Sequence, residues 1–351
     1  MAGQSLNFNK LTQLLMKNSG AGLSDHLVHF SAFQDKLIEH WGFKAETHYV
    51  TTEDGYILGV HRIANPYTMY PPVYFQHGLL ASSDLWLMRG PEEELAFQLA
   101  LKGYDIWLSN VRGSTYSRNH TTLSPDEEKF WDFSWHEMGT RDLPAVIDFI
   151  LAKTRQKRLF YVGHSMGTTQ FYVMASARPE YNDKIAVQFS LAPICFMGNM
   201  RAFDLFHPFA VDFDLYKVSD RGDFPIRLDK YFTGKPSKEQ NFKFFLQRLS
   251  GVIGQFLSFD RINLKYVIIS QQGATDKFNR FDYGPEENLL RYGLRYPPAY
   301  NLSAITAKVA IYFADNDYLS HPKVRVALSS KDISRIFWTI LTHGERVQSC
   351  V

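Results

Sequence analysis

Apolar positions along this chain follow two alternating periods. From Glu46 to Arg62 two strand-like runs flank Glu53-Asp54-Gly55, a turn in which glycine supplies the backbone freedom, and the pattern predicts an antiparallel hairpin. Val73–Phe75 reads as a short buried strand ending in Gln76-His77-Gly78-Leu79-Leu80. Glu94–Leu101 has helical character, and Tyr104–Leu108 is a further strand run that stops before Asn110 and Gly113. In Leu143–Thr154 the apolar residues Val146, Ile147, Ile150 and Leu151 recur at helical spacing. Arg158–Val162 then predicts a strand, Thr168–Ser176 a helix, and Ile185–Leu191 a strand closed by Pro193. Strands alternating with helices of this size imply an α/β fold, with a mainly parallel sheet covered by helices on both faces.

The alternation stops between about Phe196 and Tyr300. Aromatic clusters (Phe203, Phe206, Phe209, Phe213) and a helically patterned stretch, Phe242–Leu257, replace it. The α/β pattern resumes at Val309–Phe313 and again at Arg335–Leu341. The expected organisation is therefore an N-terminal segment over residues 1–30 and the first part of the core over 31–195. An inserted, mostly helical cap follows over 196–300, and the second part of the core over 301–351.

Composition removes several classes of function. Lys and Arg total 38 against 36 Asp and Glu, a formal charge of +2, so the basic stripe that nucleic acid requires is missing and no nucleic-acid partner is expected. Two cysteines, Cys195 and Cys350, cannot build a disulfide framework or a Cys-rich zinc site. The pair His26 and His29 has no third ligand nearby, and no Rossmann fingerprint or P-loop is present, so neither metal nor cofactor is expected. No apolar run approaches the ~20 residues of a membrane span, and Asn9, Lys10, Gln13 and Lys17 interrupt every apolar stretch of the first twenty residues, where a secretory signal would stand. An aromatic share of 15% suits either a well-filled core or an apolar substrate channel.

Gly163-His164-Ser165-Met166-Gly167 fits the G-x-S-x-G elbow, which places a nucleophilic serine on a sharp turn between a strand and a helix. A strand-like LFYV precedes it and a helical TTQFYVMASA follows, the setting this motif requires. A neutral serine is a poor nucleophile, so it needs an imidazole base and a carboxylate that orients that base, in the chain order Ser, Asp or Glu, His. Only His321 and His343 lie beyond the Asp315/Asp317 pair that closes a late strand. His321 shares the loop of that pair, whereas His343 follows the last expected strand, where this architecture expects the base. The two backbone N–H donors for an oxyanion come from Met166, the residue after the serine, and from the loop His77-Gly78-Leu79-Leu80. His77 itself is expected to pack and hydrogen-bond within that turn.

Several blocks, in one order between about Lys36 and Ser320, resemble the acid lipases, the group of gastric and lysosomal lipases and their invertebrate relatives. They include IEHWGF, VTTEDGYILGVHRI, QHGLLASSDLW, FWDFSWHEM, YVGHSMGTTQ, FDYG and ADNDYLSHP. The resemblance implies an α/β-hydrolase core with a cap that hydrolyses esters of neutral lipids, triacylglycerol or cholesteryl ester. It implies only transient contact with a lipid droplet or membrane surface. It assigns Ser165 as nucleophile, Asp317 as acid, and Leu79 and Met166 as oxyanion donors. It also implies a secreted or lysosomal location, in which the sequons at Asn119 and Asn301 would carry glycans.

The chain departs from the family pattern in four places. No secretory signal is evident, Met166 stands where glutamine is usual, and Ser270–Gly284 is shorter than the usual spacing. The region of His343, LTHGERVQSCV, forms an atypical short C-terminus in place of an Asn-His-x-Asp-Phe context. That last departure implies an alternative: a lipase-like protein that binds lipid with impaired catalysis.

Overall fold

The computed structural model describes residues 34–79, 81–195, 278–313, 336–340 and 349–350. A ten-stranded sheet organises them: β1 (Ala45–Thr51), β2 (Tyr56–Ile63), β3 (Val73–Gln76), β4 (Ile106–Ser109), β5 (Asn119–His120), β6 (Leu159–His164), β7 (Ile185–Leu191), β8 (Val309–Phe313), β9 (Ile336–Ile340) and β10 (Ser349–Cys350). The spatial order is β1-β2-β4-β3-β6-β7-β8-β9-β10, with β5 paired to β2. β4, β3, β6, β7, β8 and β9 are mutually parallel, while β1, β2 and β10 pair antiparallel at the two ends, as does β5 with β2. The expected α/β-hydrolase fold is thus present, and the predicted hairpin is its β1–β2 edge.

Helices α1 (Leu95–Leu101), α2 (Leu143–Thr154), α3 (Met166–Ala177) and α4 (Pro285–Tyr292) accompany the sheet, and residues 34–40 are also helical. Side chains one apart on a strand point to opposite faces, and both faces here are covered. Tyr74, Trp107 and Tyr161 face a large cluster with Val146 and Ile147 of α2 and Phe171 and Val173 of α3. Val73, Phe75, Ile106, Leu108 and Val162 face a second cluster with Phe97 of α1 and Ile38. All four residues of β3 and of β4 are consequently buried, which explains the unbroken apolar runs Val73–Phe75 and Ile106–Leu108 before each strand ends in a buried polar residue, Gln76 or Ser109.

Phe278, Phe281 and Tyr300 join the larger cluster, with Phe281 edge-on to Trp135. Within the region expected as cap, residues 196–277, including the phenylalanine cluster and Phe242–Leu257, lie outside the described residues. A helical turn at Trp135–Glu137, capped reciprocally by Ser134 and Glu137, continues through a wider π-helical turn, Met138–Asp142, into α2. A Cβ on Gly139 would lie 2.6 Å from a Val173 methyl group and 2.8 Å from the Gln170 carbonyl oxygen, so only glycine lets this turn rest on α3.

Asp142, at the end of that turn, meets a buried cation. Arg112 donates from Nε (2.8 Å) and Nη2 (2.5 Å) to Asp142 Oδ1, and from Nη1 to Asp54 Oδ2 at 2.7 Å, while its guanidinium lies 4.1 Å from the Tyr56 ring centre. The arrangement ties the loop after β4 to the hairpin turn and to the start of α2.

Candidate active site

Ser165 stands between β6 and α3 with φ 53° and ψ −120°, a backbone conformation that costs a non-glycine residue roughly 1–3 kcal/mol. The surrounding structure imposes it. The Ser165 N–H donates to the Leu191 carbonyl of β7 at 3.0 Å, and its carbonyl accepts from the Thr168 N–H at 2.9 Å and the Thr168 hydroxyl at 2.6 Å. Both glycines of the motif are steric necessities. A Cβ on Gly167 would lie 2.5 Å from the Gln76 carbonyl oxygen, and one on Gly163 would lie 2.9 Å from the Gly167 carbonyl oxygen. Tyr161 fixes the same carbonyl of Gly167 with a 2.7 Å hydrogen bond. The bend therefore lifts a half-buried Ser165 clear of the parallel strand ends.

The loop after β3 lies against the serine. A Cβ on Gly78 would be 2.9 Å from Ser165 Cβ and 3.2 Å from the His164 carbonyl oxygen, so glycine permits the approach. Leu79 follows it, half-buried, and Met166 opens α3, where the first N–H groups of a helix point outward and carry partial positive charge. His77 is completely buried. Its Nδ1 lies 2.8 Å from the Gly78 carbonyl oxygen, and its Nε2 accepts from the Val111 N–H at 3.2 Å. Burial pulls its pKa down to about 4, so the ring is neutral near pH 7 with its proton on Nδ1. This is the packing and hydrogen-bonding role expected of it.

Beyond Leu80, which lies outside the described residues, a polar latch holds the same loop. The Ser83 N–H donates to Asn110 Oδ1 at 2.9 Å, and Asn110 Nδ2 donates to Ser83 Oγ at 2.7 Å and to the Gly59 carbonyl at 3.1 Å. Asp84 accepts from Gln34 Nε2 at 2.7 Å and from the Tyr116 hydroxyl at 3.0 Å. Nothing local in the sequence pairs Asn110 with Ser83, so the latch was invisible before the fold.

Of the residues singled out in the sequence, Ser165 and Met166 form this elbow, and Leu79 follows Gly78, which lies against Ser165. Asp317 and His343 lie outside the described residues. Asn119 and Asn301 are both exposed. Among the described residues there is no group of three or more His, Cys, Asp or Glu side chains that could hold a metal ion, and no helix is long and apolar enough to cross a membrane.

Residues 71–345 match the family model described as alpha/beta hydrolase fold, and residues 35–90 match the partial alpha/beta-hydrolase lipase region. Lipase 1 of Drosophila melanogaster is 40% identical over 311 residues, a match covering 82% of this chain and 68% of that protein. The chain belongs to the acid lipase family. Gastric triacylglycerol lipase of Bos taurus, another acid lipase relative, is 37% identical over 316 residues, covering 82% of this chain and 79% of its own. Among solved structures the naproxen esterase (carboxylesterase NP) from Bacillus subtilis superposes with a TM-score of 0.52 over 92% of each chain at 12% identity, a likeness of fold alone. Acid lipase membership supports serine ester hydrolase activity and suggests a lipid ester as substrate.

Proposed function

We propose that this chain hydrolyses carboxylic ester bonds of neutral lipids, triacylglycerol or cholesteryl ester, through a triad of Ser165, His343 and Asp317 and an acyl-enzyme intermediate. The observation that carries the reading is the Ser165 elbow, held in a strained conformation by two sterically required glycines and faced by the Gly78–Leu79 backbone. Topology adds support. β8 and β9 run parallel to β6, so their C-terminal ends lie on the side of the sheet from which Ser165 projects. Asp317 and His343 follow shortly after Phe313 and Ile340 in sequence.

In this reading Ser165 Oγ attacks the ester carbonyl while His343 takes its proton and then delivers it to the departing alcohol. Asp317 orients the imidazole, and water releases the fatty acid by the same steps in reverse. The Leu79 and Met166 N–H groups receive the oxyanion of each tetrahedral intermediate. An acyl chain leaving water gains roughly 0.8 kcal/mol per CH2, which favours lipids over small polar esters and needs only transient contact with a lipid droplet or membrane surface. A relative named for triacylglycerol supports the same substrate class. Secreted or lysosomal residence, with glycans on the exposed Asn119 and Asn301, accompanies the reading.

The test is fatty-acid release from emulsified long-chain triacylglycerol by the purified chain beside Ser165→Ala. Release by the parent and none by the variant is expected. A folded parent chain inactive on that emulsion and on a short-chain ester across a broad pH range would sink the reading and favour lipid binding without turnover.

A further inference from the structure

The imidazole of His77 bonds to its own neighbour's carbonyl, and the consequence lies at the other end of that peptide unit. The Gly78–Leu79 peptide is planar and trans, so its C=O and its N–H point in opposite directions within one rigid plane. The acceptor of the 2.8 Å bond from His77 Nδ1 is the Gly78 carbonyl oxygen, and the N–H of the same unit belongs to Leu79. Glycine at 78 leaves its flanking peptides free to rotate about soft backbone torsions, and a Cβ there is forbidden by Ser165 Cβ at 2.9 Å. The residue that must be glycine for close approach is therefore the one least able to hold its own peptide plane. A side-chain bond to that carbonyl restores the constraint.

The ring is itself fixed. It is completely buried, and its Nε2 accepts from the Val111 N–H at 3.2 Å, which assigns the proton to Nδ1. Val111 precedes Arg112, whose guanidinium is anchored to Asp142 and Asp54. The covalent Val111–Arg112 link thus connects the anchored ion cluster to the hydrogen bonds that lead through His77 to the carbonyl of Gly78.

We propose that His77 is a positioning residue for the oxyanion donor of the reaction: by donating from Nδ1 to the Gly78 carbonyl, it aims the Leu79 N–H at the developing oxyanion beside Ser165. This rests on the reading of Leu79 as one of the two donors. The bond acts in two ways. It fixes the direction of the N–H before substrate arrives, so no reorganisation is required during the reaction. It also polarises the peptide, since a hydrogen bond accepted at C=O strengthens the donor at the N–H of the same amide. His77 does not touch substrate and exchanges no proton with it.

The experiment compares His77→Phe, which keeps a ring and removes the donor, with His77→Asn, whose side-chain amide places an N–H close to the position of Nδ1. The substrate is p-nitrophenyl butyrate, and the inhibitor is butylboronic acid, which becomes tetrahedral on Ser165 and directs an oxygen at the donor site. Loss of a complete oxyanion donor costs about 10²–10³-fold in kcat. For His77→Phe, kcat is expected to fall about 10- to 100-fold with KM within about twofold, and the inhibition constant of the boronic acid to rise by a matching factor. His77→Asn is expected to retain most of both. Equal kcat in parent and His77→Phe would overturn the proposal, as would a fall in kcat shared by both variants with boronic acid affinity unchanged, the mark of a lesion in the fold. If His77→Phe fails to fold, His77→Asn decides by itself: boronic acid affinity within about threefold of the parent supports the role, and a loss above about tenfold overturns it. The parent chain and Ser165→Ala, run on the same ester, test the proposed activity separately.

Discussion

Replacing Arg112 by methionine tests the buried ion cluster on which the loop after β4 depends. In the parent the guanidinium contacts Asp142 at 2.5 and 2.8 Å and Asp54 at 2.7 and 3.1 Å. Asp54 keeps other partners when Arg112 is removed, Arg141 Nη1 at 2.8 Å and the Thr52 hydroxyl at 2.6 Å. Among the described residues Asp142 keeps only the long bond from the Arg112 N–H at 3.4 Å and is 5% exposed at its side chain, so it carries most of the penalty. Breaking a buried pair by removing one partner costs about 3–5 kcal/mol, and that is the loss expected for Arg112→Met in urea unfolding at pH 7. Adding Asp142→Asn removes the stranded charge and should recover about half of it.

The dependence on pH separates this account from lost packing. Burial raises the Asp142 carboxyl against the pull of Arg112, and without Arg112 it rises further. The folded variant then holds protons that the unfolded chain has released, so acidification through the ordinary carboxylate range narrows its deficit. In the parent, burial opposes ionisation of Asp54, but the hydrogen bonds and charge of Arg112 hold its carboxyl well below that range, and acid removes stability. A deficit under about 1 kcal/mol, or one that neither Asp142→Asn nor acid reduces, would refute the reasoning.

Three further outcomes are expected. Gly167→Ala puts a Cβ 2.5 Å from the Gln76 and 2.9 Å from the His77 carbonyl oxygens, so it should cost about 1–3 kcal/mol in urea unfolding and about 10²-fold in ester turnover; near-parental turnover would contradict the elbow geometry. Ser165→Gly relieves the φ 53° conformation and should abolish turnover while raising stability by about 1 kcal/mol; an unchanged or lowered urea midpoint would show the strain to be absent. Burial depresses His77 from 6.5 to about 4, so the stability linked to its neutral form is complete above pH 6.5 and is lost as pH falls towards 4, an effect of about 3 kcal/mol at ~1.4 kcal/mol per pH unit. His77→Asn should flatten the pH dependence of the urea midpoint in that window, and parallel curves would count against it.

Where burial and period coincide, the chain declared its structure openly. Leu143–Thr154, Ile185–Leu191 and Val309–Phe313 have the bounds that their apolar spacing indicates, because each is decided by one buried face or by burial on both. The turn at Trp135–Asp142 left no such trace. Its aromatic neighbours Trp131 and Phe133 follow no clean period, and what holds it is the approach of Gly139 to α3 and the charge of Arg112, both distant in sequence. The two-residue strand β10 is too short for any periodicity to register. At the site, Ser165 was legible because its turn imposes glycines at fixed spacing. The bond from His77 to Gly78 depends on the direction of a main-chain carbonyl, which no pattern of side chains encodes. The proposed role of Asp317 is carried by strand order and family likeness, that of His343 by strand order alone.

One feature of the sheet bears on how such a molecule can change over evolutionary time. β7 and β8 are immediate neighbours, paired from Gln188 with Val309 to Leu191 with Tyr312, although a long stretch of chain separates them. Closing a longer connection between fixed ends costs only about 0.6 kcal/mol for each doubling of its length. The seam between these strands can therefore accept, lose or exchange whole segments at little thermodynamic expense, while the elbow on β6 stays bound to its neighbours. Substrate range can diversify at that seam without renegotiating the chemistry.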